Sequence, residues 1–560
     1  MKKYSIFTTL LATALLVGCE QELADLKPPV TTTPTGDLGS INATKFSTLG
    51  NSLVAGFQSN ALFNEGQEES IGKIINQQLT FAGGTSAFNQ PNINSVNGFS
   101  GLFNETTPVG RLVLFDPDGS TDPDGAGCLI SRSPSPTASG TPARNSTCPS
   151  VIETPAMPAP YNTADAPSPF TGDKTALNNF GVPGILLGQT LTPLTGGPST
   201  GNPAYNALYA RFASNPGTST IVGDFIASQP TFFLIEVGNN DVLGYATTGA
   251  SGAIPLTSAA AFQGQYQALI NSILTGPGTL ATAKGVVANI PYVTDIPFFK
   301  TVAWNSVEFV LRGCDFNSNG TDDVQEQLNQ LNGATGFGGY NGALDFLVTQ
   351  GAITQEEANK RKVTFVAGKN GIVINDENLT PDLTAALSGI NPALAAYGRT
   401  RQANANDLIT LSAGSILGTC VSNNPALING VSVPLADQFV LLPSEVTEIR
   451  NRTDEFNAAI ETIVDANPTR LALADVNAAF TDFASRPTGT LVNGILLTPS
   501  ITPPYAGFSE DGVHPNGRGY AFLANIFIRA INEKFDATIP EADITKYRGT
   551  RTPVSPQKSF

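Results

Sequence analysis

Short apolar runs alternating with stretches of helical periodicity constrain this chain more than any other feature of its 560 residues. The run 231–237 is nearly all apolar, which is the pattern of a strand buried on both faces. Similar runs occur at 45–50, 177–182, 285–290, 439–442 and 471–476. Between them lie helical patterns: Ile71, Ile74, Ile75 and Leu79; the stretch 258–274; then Val446, Ile449, Phe456, Ile460 and Ile463 on one face. A last helix carries Tyr520, Leu523, Phe527, Ile531 and Phe535. Doubly buried strands joined by helices predict an α/β fold with a central parallel sheet covered on both sides.

The rhythm breaks twice. Residues 84–175 are rich in Pro, Gly, Ser, Thr and Asn, and residues 300–435 form a second excursion enclosing Cys314 and Cys420. The second carries helical patches at 322–332 and 340–361, and a hairpin of 363–367 with 372–374 turning at Lys369-Asn370-Gly371. The main domain therefore spans 44–540 with two large loop-rich insertions, followed by a tail, 541–560.

At the N-terminus, Met1-Lys2-Lys3, an apolar run from Ile6 to Val17 and Leu16-Val17-Gly18-Cys19 resemble a bacterial lipoprotein signal. The resemblance implies cleavage before Cys19, lipidation of that cysteine, and a cell-envelope location, on the outer membrane. The apolar run falls short of the roughly 20 residues a spanning helix needs. Residues 1–18 are then a signal peptide, and 19–43, with Pro28-Pro29 and Pro34, a flexible stalk. Four cysteines remain, Cys128, Cys148, Cys314 and Cys420. An even count in an exported chain suggests disulfides; three connectivities are open, of which nearest-neighbour pairing is the simplest. Their spacings match no zinc motif. A formal charge of −16 and a pI of about 4.6 exclude a nucleic-acid partner, since no basic stripe exists to neutralise phosphates.

The chemistry concentrates in four loops that follow strands or precede the last helix, where an open α/β sheet places functional groups. They are Gly50-Asn51-Ser52-Leu53, Asn179-Phe180-Gly181-Val182-Pro183-Gly184, Gly238-Asn239-Asn240-Asp241 and Asp511-Gly512-Val513-His514-Pro515. His514 is the only histidine in the chain. A base that works near neutral pH is usually imidazole, so acid–base chemistry of that kind has one place to occur. Asp511, three residues earlier, is placed to hold one ring nitrogen while the other faces a substrate.

Together and in this order the four loops resemble the SGNH or GDSL family of serine ester hydrolases. The resemblance implies a three-layer α/β/α fold and hydrolysis of carboxylic esters through an acyl-serine intermediate. Ser52 would be the nucleophile, His514 the base and then the acid, and Asp511 the group that orients the imidazole. Carried over residue by residue, the oxyanion hole would comprise the Ser52 N–H, the Gly184 N–H and the Asn240 side chain. Gly181 competes with Gly184 for its role. Asn51 stands where the family's name expects aspartate, a position outside the triad. No cofactor is required. The aromatic segments Pro291-Tyr292, Phe298-Phe299 and Leu243-Gly244-Tyr245 follow strands on the same edge, as lining for an acyl pocket or as loop anchors.

Two rivals share these features: a carbohydrate acetylesterase or acyltransferase on the same triad, and a non-catalytic envelope binding protein that uses the insertions as its surface. Separately, Asp315, Asn317, Asn319, Thr321, Asp323 and Glu326 fall at the ligand positions of an EF-hand-type calcium loop, with Gly320 at its turn. The choice there is between a structural calcium and a solvated acidic turn.

Overall fold

The computed structural model describes residues 35–99, 110–114, 156–158, 168–276, 282–309, 311, 319–424 and 426–551. The signal, Cys19, most of the stalk, Cys128, Cys148, Cys314, Asp315 and Asn317 lie outside them.

Five strands form the central sheet: β1 (Phe46–Gly50), β2 (Asn179–Gly181), β3 (Phe232–Glu236), β4 (Lys284–Ala288) and β5 (Leu471–Ala474). All pairings are parallel, in the order β5-β4-β3-β1-β2. Successive side chains point to opposite faces, yet Phe232, Phe233, Leu234 and Ile235 are all fully buried. Both faces of the sheet are therefore covered. The covering helices are α1 (Ser52–Ala55), α2 (Ile71–Phe81), α3 (Ile221–Ala227), α4 (Asn240–Thr247), α5 (Ala259–Thr275), α6 (Pro443–Asp465), α7 (Val476–Ala484) and α8 (Gly517–Phe535). α8 packs with α2, and α5 with α3 and α6.

The chain leaves β1 towards β2 on one side and returns to β3 on the other, so the sheet's switch point lies between β1 and β3. A crevice opens there beyond the carboxyl ends of the strands. Ser52 follows β1 and Asn240 follows β3, which places both at its rim.

Packing extends past both expected ends of the domain. The Asp37 N–H donates to Thr538 Oγ1 at 2.9 Å, Ile41 joins the main core, and Ala542 and Ile544 are fully buried beyond residue 540. The second insertion has a core of its own, from Val302 to Leu442. Within it the expected hairpin does not form. Gly368–Asn370 instead pairs antiparallel with Val307–Phe309, and Val373–Asn375 with Thr400–Gln402. The backbone N–H groups that residues 363–367 would need for a ladder go to side chains: Val363 to Asn341, Phe365 to Asn332 and Val366 to Asn370. The helical patch 340–361 is two helices, Phe337–Thr349 and Gln355–Arg361, with Thr354 capping the second. Val440–Leu441 joins Leu408–Ile409 in the insertion and not the main sheet. At the other end of the domain, Val476 belongs to α7, capped by Asp475, and not to β5.

Among the described half of the acidic loop, Asn319 Oδ1 accepts from the Thr321 N–H at 2.9 Å, and the Asn319 side-chain amide donates to Glu326. Asp322 caps the helix Asp323–Leu331. Cys420 is disulfide-bonded. No helix among the described residues is long and apolar enough to cross a membrane.

Candidate active site

The turn after β1 is tight because Asn51 caps α1, its side-chain oxygen accepting from the Leu53 N–H at 2.9 Å. Ser52 is thereby the first residue of a short helix, and its own N–H has no partner within that helix. The Asn179 side chain locks this turn onto β2 by donating to the Val54 carbonyl at 2.9 Å. Its oxygen meanwhile accepts the Gly181 N–H at 2.9 Å. Gly181 is therefore not free to serve an oxyanion. It is a glycine for another reason: a Cβ there would come within 2.3 Å of the Ala55 nitrogen.

His514 Nε2 lies 2.9 Å from Ser52 Oγ, and His514 Nδ1 lies 2.9 Å from Asp511 Oδ2. Residues 462 positions apart in sequence are in direct hydrogen-bond contact. Asp511 Oδ1 accepts the N–H groups of Val513 and His514, each at 2.8 Å, so the carboxylate shapes the loop that carries its own partner. Burial disfavours the Asp511 charge, but His514 and these donors outweigh it and hold the carboxyl below its usual range. An ionised Asp511 favours the tautomer with the proton on Nδ1, which leaves Nε2 to accept from Ser52. Phe57 packs on the imidazole, ring centroids 4.9 Å apart.

A support absent from the motifs is the turn at Ser59 and Asn60, both in the left-handed region at φ 53° and 56°. That conformation aims two backbone amides at the histidine loop: Ser59 N–H to Ser509 Oγ at 2.8 Å, and Asn60 N–H to Asp511 Oδ2 at 2.7 Å. Backbone donors leave no signature in residue identity; consecutive non-glycine residues at positive φ are visible only in the fold.

On the other side of Ser52, Asn240 begins α4 and donates one side-chain N–H to the Ile185 carbonyl at 2.8 Å. Asp241 accepts the Leu187 N–H at 2.8 Å and the Thr257 hydroxyl at 3.0 Å. These bonds tie the loop containing Gly184 to the head of α4. Gly184 has φ 75°. Its N–H has no partner among the described residues. Ser52, Asn240 and His514 line one cleft, whereas Gly184 does not itself line it.

Beneath the turn lies Glu236, fully buried at the end of β3. The side chains of Asn239 and Asn51 hydrogen-bond it, yet its Oε2 has no partner, and burial pushes the carboxyl up to about 7. With Asn51 the contact is carboxyl to amide; an aspartate there would set two carboxyls against each other.

Of the aromatic segments singled out in the sequence, Pro291 and Leu243 line the cleft. Phe299 is in the core, Tyr292 lies under the Arg450 guanidinium and donates to Asp454, and Tyr245 donates to Glu448. A large part of the apolar wall comes instead from α7 and α8, with Val476, Phe480, Phe483, Phe522, Leu523 and Ile526. Reading 471–476 as a strand hid the first of these helices.

No protein-family model, curated protein or solved structure matches this chain.

Proposed function

We propose that this chain is a serine-dependent carboxylic ester hydrolase of the SGNH type, carried on an envelope lipoprotein. The observation that supports it most is the continuous relay from Ser52 through His514 to Asp511, with 2.9 Å at each step, at the sheet's switch point.

In this reading Ser52 Oγ attacks the ester carbonyl as its proton passes to His514 Nε2, giving a tetrahedral oxyanion. The Ser52 N–H and the Asn240 side-chain amide, whose residues line the cleft, are the proposed donors; the Gly184 N–H, in a loop that does not line it, is the third that the family resemblance implies. Collapse breaks the C–O bond, and the imidazolium returns its proton to the departing alkoxide. Water, deprotonated by His514, then attacks the acyl-serine; a second collapse releases the acid and restores Ser52. Asp511 stays ionised throughout and stabilises the imidazolium. No step calls for a metal, and calcium at 315–326, if bound, would brace the insertion.

The test is hydrolysis of p-nitrophenyl esters by the mature chain beside Ser52→Ala, His514→Ala and Asn240→Ala. Removing the nucleophile or the base should lower kcat by roughly 10⁴-fold or more, and removing the amide by about 10²- to 10³-fold. Equal turnover by the wild type and Ser52→Ala would refute the proposal.

A further inference from the structure

A second cavity lies on the far side of the histidine loop. Val513 and His514 form a wall of both cavities. The rest of the second comes from Leu411, Ser412 and Ser415 of the second insertion, Asn60, Phe298, Ile501, Glu510 and Asp511 of the main body, and Leu112 of the first insertion. Gly512 fixes this junction: its carbonyl accepts the Phe298 N–H at 2.9 Å, and a Cβ on it would press on Leu411 at 3.0 Å.

The two cavities differ in what they share with the reacting atoms. Ser52 and Asn240 face only the cleft lined by α7 and α8, so the carbonyl and the acyl chain that stays on Ser52 belong there. The departing alcohol takes its proton from His514, and the second cavity adjoins that residue without touching Ser52. We infer that the insertions build an alkyl site for the alcohol half of the ester. The substrate class is then an ester with an apolar chain on each side of the carbonyl, in place of an acetylated sugar. This rests on the hydrolase reading above.

The polar groups of the second cavity favour alkyl over carbohydrate, because Glu510, Ser412, Ser415, Asp511 and His514 each already hydrogen-bond within the protein, which leaves the Asn60 side-chain amide as the open polar group among the described residues. Glu510 accepts from the Ser59 hydroxyl at 2.6 Å, Ser412 pairs with Thr410 at 2.8 Å, and Ser415 donates to the Ser412 carbonyl at 2.8 Å. Asp511 is taken by Asn60, Val513 and His514. Sugar hydroxyls would lose water there with only the Asn60 amide to gain, whereas methylene groups gain from the Leu411, Phe298 and Ile501 walls.

The experiment compares methyl acetate, methyl octanoate, octyl acetate and glucose pentaacetate by pH-stat titration, using the full mature chain. Lengthening either arm should raise kcat/KM at least tenfold. Ser415→Trp, at an exposed position, should cut the advantage of octyl over methyl acetate at least tenfold and spare that of methyl octanoate; Val476→Phe should do the reverse. Preference for glucose pentaacetate, or an octyl advantage that Ser415→Trp does not touch, overturns the alcohol site while leaving the hydrolase reading intact. If no ester exceeds the Ser52→Ala background, the hydrolase reading fails, and calorimetry of octanol with Ser52→Ala decides the cavity. Uptake abolished by adding Ser415→Trp keeps it as an alkyl site; no uptake overturns it.

Discussion

Glu236 sits between Asn51 and Asn239, the residues immediately before the proposed nucleophile and the proposed oxyanion asparagine. It makes the folded state sensitive to pH. Its carboxyl is raised from an ordinary 4.5 to about 7 by burial, so within that window the folded chain holds a proton that the unfolded chain has released. The Glu236 contribution to stability is therefore most favourable below the ordinary value and is lost as pH rises towards 7. Glu236→Gln should remove this part of the fall, worth on the order of 3 kcal/mol across the window. Urea unfolding at pH 5 and pH 8 checks it: the variant should gain on the wild type at pH 8 and not at pH 5. Equal pH slopes would mean that Glu236 is charged in the fold.

At the scale of elements, the proposed site depends on how α1 meets β2. The Gly181 Cα faces the backbone of Val54 and Ala55, and the Asn179 side chain bonds the same turn. Gly181→Ala should thus push α1, and Ser52 with it, away from His514. We expect a loss of about 1–3 kcal/mol in stability from overpacking, together with a drop in kcat/KM larger than the stability loss explains. Thermal melting beside ester kinetics measures both. An active, normally stable variant would show that the turn is tolerant. The sequence made β1, β3, α5, α6 and α8 legible, because their apolar residues repeat at the period of the element and each buries a broad face. It misled at 363–374 and at 471–484. There, turn chemistry and short apolar runs are locally compatible with a hairpin or a longer strand, and distant side chains such as Asn341 and Asn332 decide otherwise.

For the whole molecule, the proposed lipoprotein signal would make the proposed enzyme a tethered one. Cys19→Ser should abolish incorporation of labelled palmitate and move the protein from the membrane to the soluble fraction, with esterase activity retained. Continued membrane association without label would point to another anchor. Both insertions contribute to the second cavity, so they bear on the proposed substrate even though the triad comes from the main domain.

What the sequence determined by itself is the α/β rhythm and the identity of the side chains of the proposed relay. Period and hydrophobicity are local properties, and a lone histidine three residues after an aspartate leaves few ways to arrange the chemistry. Tertiary structure alone decided which strands neighbour one another, and so that Ser52 and His514 meet at 2.9 Å. It also decided that Ser59 and Asn60 turn their amides onto the histidine loop, that Glu236 lies beneath the serine, and that a second cavity opens beside His514. Each of these depends on backbone direction or on burial by residues hundreds of positions away, and neither is written in the residue type.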